Sequence, residues 1–196
     1  MSYSGLVSYV DFSQFRTSPR YKNVDKFIPH HMAGNLTVES CGQLFHRREA
    51  SSHYAIGSDG RIACYVNEED RAWTTGNHID HRSITVEVAD DVIGGSWHSS
   101  AAAMQSLVKL AADVGRRYGF RMNYTGDTNG TLLMHKWFQA TDCPGAYLES
   151  QFGWIAQEAN KLIDDPNYIV PAPVGGITIT TPTVPGSISV DGSCGP

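Results

Sequence analysis

Nowhere does this chain approach the roughly 18 uninterrupted apolar residues of a membrane-spanning helix, which excludes that class of protein. Its first residues, Met1-Ser2-Tyr3-Ser4-Gly5, lack a basic segment followed by a hydrophobic run. No signal peptide is therefore expected, and synthesis in a cytoplasm is predicted. Positive charge is also short: 15 Lys and Arg stand against 20 Asp and Glu, a net charge of -5. A nucleic-acid partner would need a basic face, so none is expected. The four cysteines (Cys41, Cys64, Cys143 and Cys194) include no CxxC pair and are too few to staple 196 residues. Cys41 and Cys64 read as free buried thiols in a helix and a strand, with a bridge between them as the alternative. What remains is ordinary globular composition, 41% hydrophobic and 18% charged. A chain of this length buries about two thirds of its extended surface, enough for one sound core.

The chemistry concentrates in Met134-His135-Lys136-Trp137-Phe138-Gln139-Ala140-Thr141-Asp142-Cys143-Pro144-Gly145. An imidazole and a thiol stand eight residues apart there, and both are good zinc donors. A catalytic zinc needs a third protein ligand and an open position. Phe27-Ile28-Pro29-His30-His31 offers that ligand from far upstream. The same residues would also suit a core histidine beside a buried free cysteine.

The order His30-His31-x-Ala33-Gly34, Ser52-His53-Tyr54, a strand carrying Glu87, then His135 with Thr141-x-Cys143-Pro144-Gly145 resembles the type-2 N-acetylmuramoyl-L-alanine amidases. That family includes phage endolysins, bacterial wall amidases and peptidoglycan recognition proteins, and the resemblance covers roughly residues 24 to 163. It implies a zinc ion held by His30, His135 and Cys143. It also implies peptidoglycan as partner, and hydrolysis of the amide between N-acetylmuramic acid and L-alanine. Between the two adjacent histidines it selects His30. Strand periodicity puts Ile28 and His30 on one face and Phe27, Pro29 and His31 on the other. His31 is then a packing or hydrogen-bonding neighbour.

Pattern and punctuation predict a mixed α/β fold, a central sheet flanked by helices. Residues 1 to 23 read as an irregular arm with scattered aromatics. Strands are expected at 24–31, 52–56, 61–66 and 83–88, the second and third joined by a hairpin at Gly57-Ser58-Asp59-Gly60. Pro29 inside the first strand suggests a sheet edge or a bulge. Helices are expected from Asn35 or Thr37 to about Arg47, from Ser99 or Ser100 to Tyr118, and as one piece over 146–163. The catalytic domain is placed at 1–165. Residues 166–196, rich in Pro, Thr and Gly, read as a linker that builds no core of its own. Val190 to Pro196 resembles the opening of a peptidoglycan-binding repeat, which implies a wall-binding domain.

Glu87 sits among apolar neighbours. Periodicity alone reads it as a solvated or salt-bridged residue on an edge strand, whereas the resemblance makes it the general base. Some relatives use instead a Tyr on the preceding strand; Ser52 matches that position here, which leaves His53 and Tyr54 structural. Thr141 matches a position held by Lys or Thr in relatives and could donate to the oxyanion, or simply cap the loop before Cys143. Trp73 is a candidate groove wall for sugar or peptide, or a packing aromatic. These features together suggest a phage or prophage endolysin, made in a host cytoplasm and acting on the wall after release. A non-catalytic peptidoglycan-recognition module and a Cys-His peptidase with Cys143 as nucleophile are the rivals.

Overall fold

The β-branched run Ser83-Ile84-Thr85-Val86-Glu87-Val88 forms a strand flanked on both sides, as its composition requires. The computed structural model describes residues 3–170. In it β1 (Tyr9–Val10), β3 (Lys26–His31), β4 (Tyr54–Ile56), β5 (Ile62–Cys64) and β7 (Ser83–Val88) make one sheet, ordered β1-β5-β4-β7-β3. Two further short strands, β2 (Arg16–Thr17) and β6 (Arg71–Ala72), pair separately and antiparallel. Only β4 and β5 run antiparallel within the main sheet, joined by the expected tight turn with Gly60 at φ +84°. The remaining pairings are parallel, so the sheet is mixed.

Strand β3 is at the sheet edge, which explains how it tolerates Pro29. In a strand, consecutive backbone groups point to alternate sides. Phe27 directs its N–H outward to Thr131 and its carbonyl outward to Leu133 N–H. The absent N–H of Pro29, two residues on, therefore falls on that same outer side, where no ladder is broken. Along this edge runs the segment after residue 130, bridged in parallel at Phe27 and Leu132.

Helices cover both faces of the sheet. The inner residues Ala55 and Ala63 pack with Val38 and Cys41 of α1 (Val38–Phe45). On the opposite face Phe27, Tyr54, Ile56, Val86 and Val88 meet α2 (Ala101–Tyr118) and α4 (Phe152–Asp164) in the larger core. The caps follow the sequence: Thr37 accepts the Ser40 N–H, Ser100 accepts the Ala103 N–H, and Gly119 ends α2 at φ +73°. No helix among the described residues is long and apolar enough to cross a membrane.

Several expectations need correction. The first 23 residues are not wholly irregular, because β1 completes the sheet beside β5 and β2 pairs with β6. Such two-residue strands carry no periodicity to read. The last helix is two, α3 (Ala146–Ser150) and α4, separated at Gln151. The expected free, buried thiols Cys41 and Cys64 are found as such, as is Cys143, and the alternative bridge does not form; Cys194 lies outside the described residues.

Packing also continues past the expected boundary at 165. Tyr168 lies against the core, its ring under the Arg116 guanidinium and its carbonyl accepting from Arg116 Nη1. Of the expected linker at 166–196, residues 171–196, with the wall-binding resemblance, lie outside the described residues. A chain ending at residue 170 should melt within a few degrees of the full chain. One ending at 166 should melt lower, because Arg116 loses Tyr168. Thermal unfolding of the two truncations checks this.

Candidate metal centre

Strand register brings the distant histidine to the near pair. The outer-edge bridge pairs Phe27 with Leu132, and three residues further along the two segments stand His30 and His135. Their rings lie 4.7 Å apart between centroids. His135 opens a short 3-10 turn, His135–Trp137, and the loop that follows is closed where Lys136 N–H donates to the Cys143 carbonyl at 3.1 Å. That closure returns the thiol to the imidazoles. Potential ligand atoms of His30, His135 and Cys143 all lie within 4.8 Å of one another.

The donor set fits a zinc ion. His30 Nδ1 is 3.4 Å from Cys143 Sγ. Two ligands of one tetrahedral zinc, at Zn–N and Zn–S bond lengths near 2.0 and 2.3 Å, stand about 3.5 Å apart. His30 and Cys143 are buried, whereas His135 is half-exposed, giving the cluster a solvent-facing side. Burial first, then the neighbouring His135 and His31, hold the His30 imidazole well below the usual histidine range. It is thus neutral and able to donate a lone pair. His135 Nε2 is 2.8 Å from Gln139 Oε1, the kind of outer contact that orients a ligand imidazole. Burial, and then the Glu87 carboxylate, push the Cys143 thiol up, so without a cation it keeps its proton.

Glu87 lies directly across from His30 in the β3–β7 register, with Ala55 on its other side. Facing residues in register share a face, so His30 and Glu87 lie on one side of the sheet, and the His135 ring beside His30 extends the row. Glu87 keeps partial solvent access. Burial chiefly, with Asp90 adding and Arg48 opposing, raises its carboxyl to about 8. A carboxyl poised near neutrality beside three metal donors suits proton transfer.

The remaining expected residues are placed as follows. Thr141 Oγ1 accepts the Cys143 N–H at 3.2 Å, the loop-capping geometry; its hydroxyl proton stays available to donate elsewhere. Trp73 donates its indole N–H to Thr17 and packs on Phe15, and none of these bonds or ring contacts reaches the cluster. Tyr54 is buried on the opposite face from Glu87, with its hydroxyl donating to Glu68 at 2.5 Å and accepting from Ser4 N–H. His53 is buried among Arg20, Thr85 and the Asp70 carbonyl. Both are held in buried hydrogen-bond networks. Two residues were not foreseen, Gln139 and Asp90. Gln139 lies at helical spacing from His135, a signal the sequence offers; Asp90 lies past the end of β7, where strand periodicity no longer aims side chains.

Comparison with known proteins agrees with this geometry. The profile of the N-acetylmuramoyl-L-alanine amidase family matches residues 20–146. The chain belongs to that family, whose members act on peptidoglycan. Its fold is shared by the Staphylococcus aureus hydrolase AmiA, solved in complex with its ligand (21% identity, TM-score 0.62, covering 77% of this chain and 82% of that one). It is also shared by the endolysin LysCS from Clostridium intestinale URNW (16%, 0.56, 76% and 95%) and the PlyG catalytic domain (16%, 0.63, 89% and 98%). None of the curated proteins matches the chain in sequence.

Proposed function

We propose that this chain is a zinc-dependent amidase that cleaves the bond between the lactyl group of N-acetylmuramic acid and the L-alanine of the stem peptide. The observation that carries this reading is the row of His135, His30 and Glu87 closed by Cys143. His30, His135 and Cys143 would hold the metal. Zinc bound there supplies a Lewis acid that polarises the scissile carbonyl and acidifies water. Glu87 removes the proton of the attacking water and returns it to the leaving amine. Thr141, whose oxygen is already engaged by the Cys143 N–H, turns its hydroxyl proton toward the developing oxyanion.

Biologically, the reading is a phage or prophage endolysin, made in a host cytoplasm and released onto the wall. The similarity to a chain described as an endolysin supports it. A purely recognitional module would need neither the complete donor set nor a carboxyl raised beside it.

Purified peptidoglycan tests the reaction. Digestion should release new alanine amino termini without new reducing sugar ends. Dipicolinate or EDTA should abolish release, and added zinc should restore it. Activity indifferent to chelation would favour Cys143 as a nucleophile and sink the zinc reading.

A further inference from the structure

We propose that His31 is a positioning residue for the metal-binding thiol, held by Asp90, so that the two adjacent histidines have different tasks. The inference rests on reading His30, His135 and Cys143 as a metal site.

Three contacts converge on His31. The imidazole projects to the other face from His30. There it lies against Gly145, two residues past the thiol. A Cβ built on Gly145 would fall 3.2 Å from the His31 Cε1 and Nδ1 atoms, and Gly145 has φ +81°. Both the close approach and the left-handed backbone call for glycine. Trp97 closes the far side, edge-on with centroids 5.4 Å apart.

Asp90 supplies the anchor. It is fully buried, and its Oδ2 lies 3.3 Å from His31 Nδ1. That distance is within ion-pair range but out of line for a hydrogen bond, and neither His31 Nδ1 nor Asp90 Oδ1 has a hydrogen-bond partner. Asp90 also clasps the chain leaving β3: Oδ2 accepts the Gly34 N–H at 3.1 Å, and Asp90 N–H donates to the Gly34 carbonyl at 3.0 Å. The ends of β3 and β7, which carry His30 and Glu87, are thereby tied together. With Asp90 holding the ring, the ring seated on Gly145 keeps the loop that carries Cys143 against the end of β3. A loop held in place in this way presents its thiol without further ordering, and outer contacts of this kind raise metal affinity. A residue that merely filled space would change stability but not metal affinity.

The test uses the full chain, with zinc affinity read by competition against a chromogenic chelator. The cobalt-substituted protein adds a sulfur-to-cobalt charge-transfer band. His31→Ala and Asp90→Ala should each weaken zinc binding by roughly 10–100-fold, the usual range for outer-shell partners, and shift or weaken the band. The double variant should lose no more than the worse single one, because the two residues act as one unit. Asp90→Asn, which keeps an amide oxygen for Gly34, serves if the alanine variants do not fold, and it too should weaken zinc. Folded variants with wild-type affinity and spectrum would overturn the proposal, as would losses that simply add. Failure of the wild-type chain to bind zinc would remove the metal reading itself and this inference with it.

Discussion

Glu87→Gln should reduce turnover of purified peptidoglycan by about 10²–10⁴-fold, the usual size of a general acid–base contribution. Glutamine keeps the volume, the strand and the neighbours, so zinc content should stay at the wild-type level. The position across from His30 makes this a sharp test, and Tyr54 cannot substitute as the base because it lies on the other face of the sheet. The substitution also has a pH signature in the metal-free protein. Glu87 has a folded-state value raised to about 8 from an ordinary 4.5. A raised carboxyl favours folding while protonated, and that contribution is lost as pH climbs from the unfolded value through the folded one. Chelated Glu87→Gln should therefore gain melting temperature over chelated wild type between pH 5 and pH 9. Near-normal lysis by Glu87→Gln would make the residue structural and move attention to Thr141.

Cys143→Ser should lose zinc and activity together. A neutral hydroxyl is a poor zinc donor, and the two histidines that remain do not fill a catalytic set. Elemental analysis after dialysis should find the variant essentially metal-free, with activity at background. Because burial holds the wild-type thiol protonated when no cation is present, zinc uptake must expel a proton. Apparent zinc affinity of the wild-type chain should accordingly rise with pH. The two variants separate proton transfer from metal binding: one retains zinc without turnover, the other loses both. A Cys143→Ser protein that kept stoichiometric zinc would show that the thiol is not a ligand.

Much of the fold could be read from local signals. The hairpin at Gly57 to Gly60, the Thr37 and Ser100 caps, the Gly119 stop and the β-branched strand at 83–88 all follow from short-range chemistry. Pro29 marked an edge or a bulge before any pairing was known, and the edge is what forms. Elements of two residues escaped, because β1 and β2 are strands only by virtue of the partners that receive them. The division of 146–163 into two helices escaped as well, since apolar spacing continues across Gln151.

The sequence by itself determined the donor types, their order and the faces of β3 on which His30 and His31 lie, because those depend on residue identity and a two-residue period. Only the tertiary structure decided which histidine meets the thiol, through a bridge between Phe27 and Leu132 that no local pattern encodes. It likewise decided that Glu87 stands across from His30 while Tyr54 faces away, since register is set by the packing of both sheet faces at once. Asp90 is the clearest case: an ordinary aspartate after a strand, fully buried because the chain beyond β3 folds back over it.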